Sequence, residues 1–452
     1  MELQTNSLVF TVRRREPELI GPAKPTYREY KPLSDIDDQE SLRFQMPLIL
    51  FYRYKPSMQG KDPVKVIREA LAKALVFYHP FAGRLKEGPD RKLIVDCTGE
   101  GIMFIEADAD VTLQQFGDAF HPPFPCLGEL LYDAPGSDNV LNCPLLLVQI
   151  TRLKCGGFIL ASRVNHTMAD AVGLMQFMTA VCEMARGESV PSLMPIWDRH
   201  LLNARYPPRL TCTHDAFDGL ADTEVAFNPP EDMVLRSFFF GPPEVSTIRS
   251  FLPVGRRKSS TVDMLIAFLW RCRTIALKTE PNEKMRAICI VNARSKFNPP
   301  IPIGYYGNVI VQSTALTTAG KLCQNSLAYA LELVKQAKAN ITEEYMKSTA
   351  DLMVIRGRPH IIMNGTFLVS DVTRPGFPDV DFGWGKAVYA GPAMGGGRMI
   401  PWFISFFIPM KNKKGEDGIV VPICLPALAM ERFAVELDSM LKKQPSRSNS
   451  RL

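Results

Sequence analysis

Apolar positions in "DPVKVIREALAKALVFYHP" recur at helical spacing. Val64, Ile67, Ala70, Leu71, Leu75 and Phe77 fall near one face, which predicts a helix with Asp62 as N-cap and Pro80 as its stop. Shorter apolar runs bounded by turn residues predict strands at "SLVFTVRRR" and "MPLILFYRY". "KLIVDCTGEGIMFIEADADV" predicts a hairpin turning at "TGEG", and "CPLLLVQITRLKCGGFILASRVNH" a second one turning at Gly156 and Gly157. The return strand of the second hairpin ends at His166, and "DAVGLMQFMTAVCEMAR" behind it carries a helical stripe of Leu174, Phe177, Met178, Val181 and Met184.

From Gly187 to Arg209 the chain is proline-rich and without periodicity, which predicts a crossover. Beyond it the pattern resumes with a strand at "MVLRSFFFG", helices around 242–251 and 261–277, and strands at "RAICIVNAR" and "NVIVQSTAL". Long helices follow across 325–355, then strands "TFLVSDV", "WFISFFIPM" and "GIVVPICLP" and a final helix "ALAMERFAVELDSMLKK". Irregular interleaving with hairpins predicts an α/β protein with mixed or antiparallel sheets. Two domains are expected, residues 1–186 and 231–452, joined by a crossover linker at 187–230.

Composition narrows the function. The chain has 452 residues, of which 46% are hydrophobic and 22% charged, ample for a core. A formal charge of +6 is too weak and too dispersed to indicate nucleic acid. The basic clusters "RRR" (13–15), "GRRK" (255–258) and "KNKK" (411–414) are solvated surface or small-ligand contacts. Ten cysteines show no C-x-x-C pair and no zinc-type spacing, which suits a reducing compartment. The first residues lack the order of a signal peptide and no apolar run reaches membrane-spanning length, so a soluble intracellular protein is expected.

Candidate chemistry concentrates in two segments. "RVNHTMADAVG" places His166 and Asp170 four apart at a strand-to-helix turn. They could be a catalytic pair, two metal ligands, or one chemical group and one structural prop. A catalytic zinc needs three protein ligands and no third lies nearby, so no metal is expected there. No G-x-S-x-G elbow is present, which leaves a histidine acting as general base on an external alcohol or amine. The second segment, "DVDFGWGKAVYAGPAMGGG" (379–397), cannot be a regular helix, and its glycines predict unusual dihedrals or close backbone approach. A kinase D-F-G is excluded, since no glycine-rich loop or H-R-D accompanies it.

The ordered pair of H-x-x-x-D at 166–170 and D-F-G-W-G at 381–385 resembles the joint signature of the plant BAHD acyl-CoA-dependent acyltransferases. "LSDIDDQ", "FYHPFAGRL", "VDCTGEG", "LWRCRTIAL", "NARSKFNPPIPIGYYGN" and "LVSDVTR" extend the resemblance over essentially the whole chain. Within the family the chain is most similar to the alcohol acyltransferases that make volatile esters.

The resemblance implies two chloramphenicol-acetyltransferase-like domains with a solvent channel between them. Acyl-CoA is the co-substrate, with no permanently bound cofactor and no metal. It also implies that His166 takes the hydroxyl proton as the oxygen attacks the thioester, then returns it to the leaving CoA thiolate without an acyl-enzyme. Asp170 is expected to turn away and pair with Arg294, while Asp381, Gly383 and Trp384 lie away from the reacting atoms and shape the channel.

For CoA, a helix start at Ser260 or Thr261 beside Arg257 and Lys258 suits a phosphate. The resemblance adds Ser370 as a further contact. The resemblance also implies benzoyl transfer from benzoyl-CoA to benzyl alcohol or a similar alcohol, giving an ester such as benzyl benzoate. The alternatives are hydroxycinnamoyl or amine acyl transfer, for which Arg374 offers a carboxylate handle, and a non-catalytic binding relative. A monomer is expected. Ser450, Arg451 and Leu452 have the form of a peroxisomal address read by an import receptor, so the peroxisome is expected ahead of the cytoplasm.

Overall fold

The computed structural model describes residues 2–3, 8–117, 120–133, 140–217, 232–394, 404–412 and 414–442. Its strands are β1 (Val12–Arg14), β2 (Glu18–Ile20), β3 (Tyr30–Pro32), β4 (Gln45–Tyr52), β5 (Arg84–Glu87), β6 (Leu93–Asp96), β7 (Ile102–Ala109), β8 (Leu146–Leu153), β9 (Phe158–Asn165), β10 (Met233–Phe240), β11 (Lys284–Asn292), β12 (Ile310–Thr318), β13 (Thr366–Asp371), β14 (Tyr389–Pro392), β15 (Ile404–Lys411) and β16 (Asp417–Pro426). Its α-helices are α1 (Pro63–Phe77), α2 (Leu127–Leu130), α3 (Ala171–Ala185), α4 (Pro242–Ser250), α5 (Thr261–Leu277), α6 (Ala319–Gln324), α7 (Leu327–Ala339), α8 (Glu343–Ile355) and α9 (Ala427–Lys442). Ser450, Arg451 and Leu452 lie outside the described residues, as do 218–231 of the expected linker and the glycines at 395–397.

Two large mixed sheets define two α/β domains. The first runs β1-β7-β8-β9-β4-β14, with β2 also on β7. Only its β7–β8 pair is parallel. β4 and β9 read as almost unbroken apolar runs because both are buried along nearly their whole length. α1 and α3 cover this sheet: Ile67, Leu71 and Val181 share its core with Leu146, Val148 and Leu160 and line a small cavity with them. Asp62 caps α1, accepting from the Val64 N–H at 3.1 Å.

The second sheet runs β10-β16-β15-β13-β11-β12, with parallel pairs at β11–β13 and β13–β15. Its core joins Phe268 and Trp270 of α5, Leu331 of α7 and Phe433 of α9 to the sheet. A small third sheet runs β3-β6-β5. No helix among the described residues is long and apolar enough to cross a membrane.

The chain departs from the predicted pattern at two points that matter for the site. The segment 92–111 is not a hairpin: β6 joins the small sheet and β7 the large one. The residues bounding its expected turn bond elsewhere, with the Cys97 N–H on Glu29 O and the Gly101 N–H on Ala82 O. Second, β14 comes from the segment expected within the C-terminal domain, yet it pairs with β4 of the first sheet. Phe377, Val380, Phe382, Trp384 and Tyr389 join the first sheet's core with it. A strand of four residues with Gly391 inside it carries too little periodicity to announce itself.

Candidate active site

β9 delivers His166 to its end, where the strand stops because a polar turn takes over. Asn165 Oδ1 accepts from the Thr167 N–H at 3.1 Å and from Thr167 Oγ1 at 2.7 Å. The His166 N–H donates to Phe44 O at 2.9 Å, and the imidazole lies 5.3 Å from the Phe44 ring. Burial disfavours the imidazolium and pulls the His166 pKa below its ordinary 6.5. Nδ1 is shut away from solvent and has no hydrogen-bond partner among the described residues. A neutral ring at neutral pH is therefore the resting state, the form a general base requires.

Asp170 caps α3, and both of its carboxylate oxygens are fully engaged. Oδ1 accepts from the Gly173 N–H at 3.0 Å and Arg294 Nη2 at 3.0 Å. Oδ2 accepts from Arg294 Nη1 at 2.6 Å and the Val309 N–H at 3.0 Å. Arg294 also donates to Gly307 O at 2.7 Å, so this pair ties the first turn of α3 to the loop before β12. The approach is close enough that a Cβ on Gly173 would sit 1.9 Å from Tyr306 O.

A second buried network, centred on Asp37, lies beside the first. Asp37 Oδ1 accepts from Arg199 Nη1 at 2.8 Å, the Asn308 N–H at 2.8 Å and Asn308 Nδ2 at 2.9 Å. Asn308 Nδ2 also donates to the carbonyl of His166 at 2.9 Å, and Arg199 Nη2 to that of Met168 at 2.8 Å. The guanidinium of Arg199 lies 4.4 Å from the Trp197 ring centre. Sequence reasoning did not single out Asp37, Arg199 or Asn308. "LSDIDDQ" and "GYYGN" contain two of them, but nothing in "WDRH" marks Arg199.

Asp381, Gly383 and Trp384 lie at the opposite end of β9. Asp381 Oδ1 accepts from the N–H groups of Gly383 at 2.7 Å and Gly385 at 2.8 Å, closing a tight loop. Gly383 has φ +113°, a conformation that side-chain-bearing residues rarely adopt. Trp384 packs edge-on against Phe158 with ring centres 5.3 Å apart, Phe382 packs on Tyr52, and Lys55 Nζ donates to Gly383 O at 2.8 Å. Phe158 opens β9 and His166 follows its end, a separation of roughly 25 Å at about 3.3 Å per residue. The loop thus fastens the second half of the chain to the far side of the first sheet.

The four expected CoA contacts fall on the C-terminal domain. Ser260 caps α5 through a 3.0 Å hydrogen bond from the Asp263 N–H, and Thr261 Oγ1 accepts from Arg249 Nη2 at 3.1 Å. Lys258 and Arg257 are both exposed, and Arg257 Nε donates to Leu252 O at 3.0 Å. Ser370 sits on β13 between Ile290 and Phe406. Lys338, at the end of α7, connects the two groups. It pairs with Asp263 at 2.6 Å and feels the charge of Asp371, the neighbour of Ser370. Arg374 is exposed.

Residues 10–440 match the Transferase family, and the chain belongs to it, the family of BAHD acyl-CoA-dependent acyltransferases. Among its relatives are the benzyl alcohol O-benzoyltransferases of Nicotiana tabacum and Petunia hybrida. They are 66% and 65% identical, and both alignments cover 99% of this chain and 97% of the relative. An alcohol acyl transferase of Malus domestica is 54% identical, over 96% of this chain and 95% of its own. The fold is that of vinorine synthase, with a TM-score of 0.71 at 23% identity over 95% of this chain and 98% of that one. It is shared by TRI101 of F. graminearum complexed with coenzyme A and deoxynivalenol, with a TM-score of 0.69 at 16% identity over 90% and 97%.

Proposed function

We propose that this acyl-CoA:alcohol O-acyltransferase moves a benzoyl group from benzoyl-CoA to benzyl alcohol or a similar alcohol, with His166 as general base. The observation that carries the division of labour is the saturation of Asp170. Four donors already occupy its two oxygens, so it has no lone pair aimed at substrate. The imidazole beside it is held neutral by burial.

His166 accepts the hydroxyl proton as the alcohol oxygen bonds to the thioester carbon. The carbon–sulfur bond then breaks, and the imidazolium returns its proton to the departing CoA thiolate. No covalent acyl-enzyme intervenes, so the enzyme ends each cycle as it began. Charge on the thioester oxygen requires a hydrogen-bond donor in the assembled site. Lys258, Ser260, Thr261 and Ser370 are the proposed CoA contacts, with the N-terminus of α5 favouring phosphate.

The choice of benzoyl and benzyl groups is supported by the two relatives at 66% and 65% identity. Thiol release from a panel of acyl-CoAs against a panel of alcohols tests it. The proposal expects the highest kcat/KM for benzoyl-CoA with benzyl alcohol or a close analogue. Equal or better turnover of a hydroxycinnamoyl donor with an amine acceptor would overturn it.

A further inference from the structure

Three side chains with metal-ligand chemistry converge apart from the acyl-transfer machinery. Glu29 precedes β3, His79 opens the turn His79–Ala82 after α1, and Cys97 follows β6. Their backbones are fixed relative to one another. The Cys97 N–H donates to Glu29 O at 2.9 Å, extending the ladder in which Tyr30 faces Asp96. The His79 turn presses on β6 so closely that a Cβ on Gly83 would sit 2.4 Å from Asp96 O. His79 Nε2 lies 2.8 Å from Glu29 Oε1, and one donor atom from each of the three lies within 4.8 Å of the others.

We propose that Glu29, His79 and Cys97 form a binding site for a zinc-class divalent cation, with the fourth position open to solvent. The donor set selects the ion class. A thiolate, an imidazole and a carboxylate suit zinc, whereas magnesium and calcium demand oxygen ligands. Bonds of about 2.0–2.3 Å place tetrahedral zinc donors about 3.5 Å apart.

The spread here closes to that by side-chain rotation. Glu29 and His79 have side chains 42% and 21% exposed, while the buried Cys97 supplies a fixed anchor. The carboxylate and the thiolate, once its proton has passed to solvent, neutralise the ion's two charges. Two features oppose it: burial pushes the Cys97 thiol pKa up to about 12, so the ion itself must displace its proton, and Lys31 Nζ, 3.2 Å from Glu29 Oε1, must release that oxygen. Spacing along the chain conceals the site, because His79 and Glu29 are 50 residues apart and only the β3–β6 pairing brings Cys97 to them.

Titration of the full-length protein with Co²⁺, followed by absorbance, and with Zn²⁺, followed by calorimetry, tests the proposal. The wild type should bind one Co²⁺ saturably with a thiolate-to-cobalt charge-transfer band. That band should vanish in Cys97→Ser. Loss of even an outer-shell partner costs about 10–100-fold in metal affinity, so His79→Ala should weaken Zn²⁺ binding at least about tenfold. Lys31→Met should tighten it. Absence of the band in the wild type would overturn the site without recourse to any variant. So would unchanged Zn²⁺ affinity in both Cys97→Ser and His79→Ala, which would place the metal on other cysteines. Glu29→Gln, at a partly exposed side chain, repeats the test should Cys97→Ser not fold.

Discussion

Arg294 grips both oxygens of Asp170, at 2.6 and 3.0 Å, from a segment 124 residues further along the chain. Both side chains are mostly shielded, with exposures of 18% and 4%. Removing one partner strands the other as an uncompensated charge, at a cost of about 3–5 kcal/mol. Asp170→Asn and Arg294→Ala should each lower the melting temperature and the activity together. Thermal melts and thiol-release rates on the purified variants check this. Full activity with an unchanged melting temperature in either variant would contradict the prop.

Asn308 should behave differently. Its Nδ2 holds the carbonyl of His166 at 2.9 Å, while Asp37 keeps Arg199 and Ser34 as donors when that amide is removed. Nδ2 also reaches Asp37 Oδ1 and Thr167 O, so alanine removes all three contacts; the bond to the His166 carbonyl, at about 1–1.5 kcal/mol, corresponds to about tenfold in rate. Asn308→Ala should lower kcat by about that factor and leave KM for both substrates near wild type. A rise in KM at constant kcat would assign Asn308 to substrate binding.

The pH profile follows from the direction of the His166 shift. Burial lowers its pKa below 6.5, so the base stays neutral to lower pH than a solvated histidine. The kcat/KM plateau should extend through pH 6.5 and fall only on the acid side of it. The same shift makes the unfolded chain take up this proton first, so stability from this group declines as pH falls below 6.5. An acidic limb with its midpoint above 6.5 would contradict the desolvated, neutral imidazole.

Trp384 should be worth stability. It is 5% exposed and packed on Phe158, and replacing such a residue by alanine costs about 3–5 kcal/mol. Because the loop sits at the far end of β9, Trp384→Ala should lose denaturant resistance while the folded fraction keeps most of its kcat. A large fall in kcat of fully folded Trp384→Ala would bring the loop into the chemistry.

Local periodicity made much of this legible. The stripes of α1 and α3, the Asp62 cap and the β8–β9 hairpin all follow from neighbours a few residues apart. His166 at the end of β9 could therefore be placed from the sequence, and the Asp170–Arg294 pair from family resemblance. What the pattern did not carry is long-range. Asp37 meets Arg199 across 162 residues and Asn308 across 271, and no spacing rule connects charges that distant. The "TGEG" segment misled for a related reason. It looks like a hairpin turn locally, but the N–H groups at its two ends, Cys97 just before it and Gly101 at its close, find partners at Glu29 and Ala82 on other elements. β14 was missed because four residues cannot show a period, and only the packing of Tyr389 and its neighbours against the first sheet defines it.

The most direct measurement is the thiol-release rate of folded His166→Ala with benzoyl-CoA and benzyl alcohol, beside wild type at the same pH. General-base catalysis supplies about 10²–10⁴-fold, so kcat should fall by that range while the melting curve stays cooperative. A kcat within a few-fold of wild type (a small change on the roughly tenfold-per-1.4 kcal/mol scale) would show that another group takes the proton, and the assignment of His166 would be wrong.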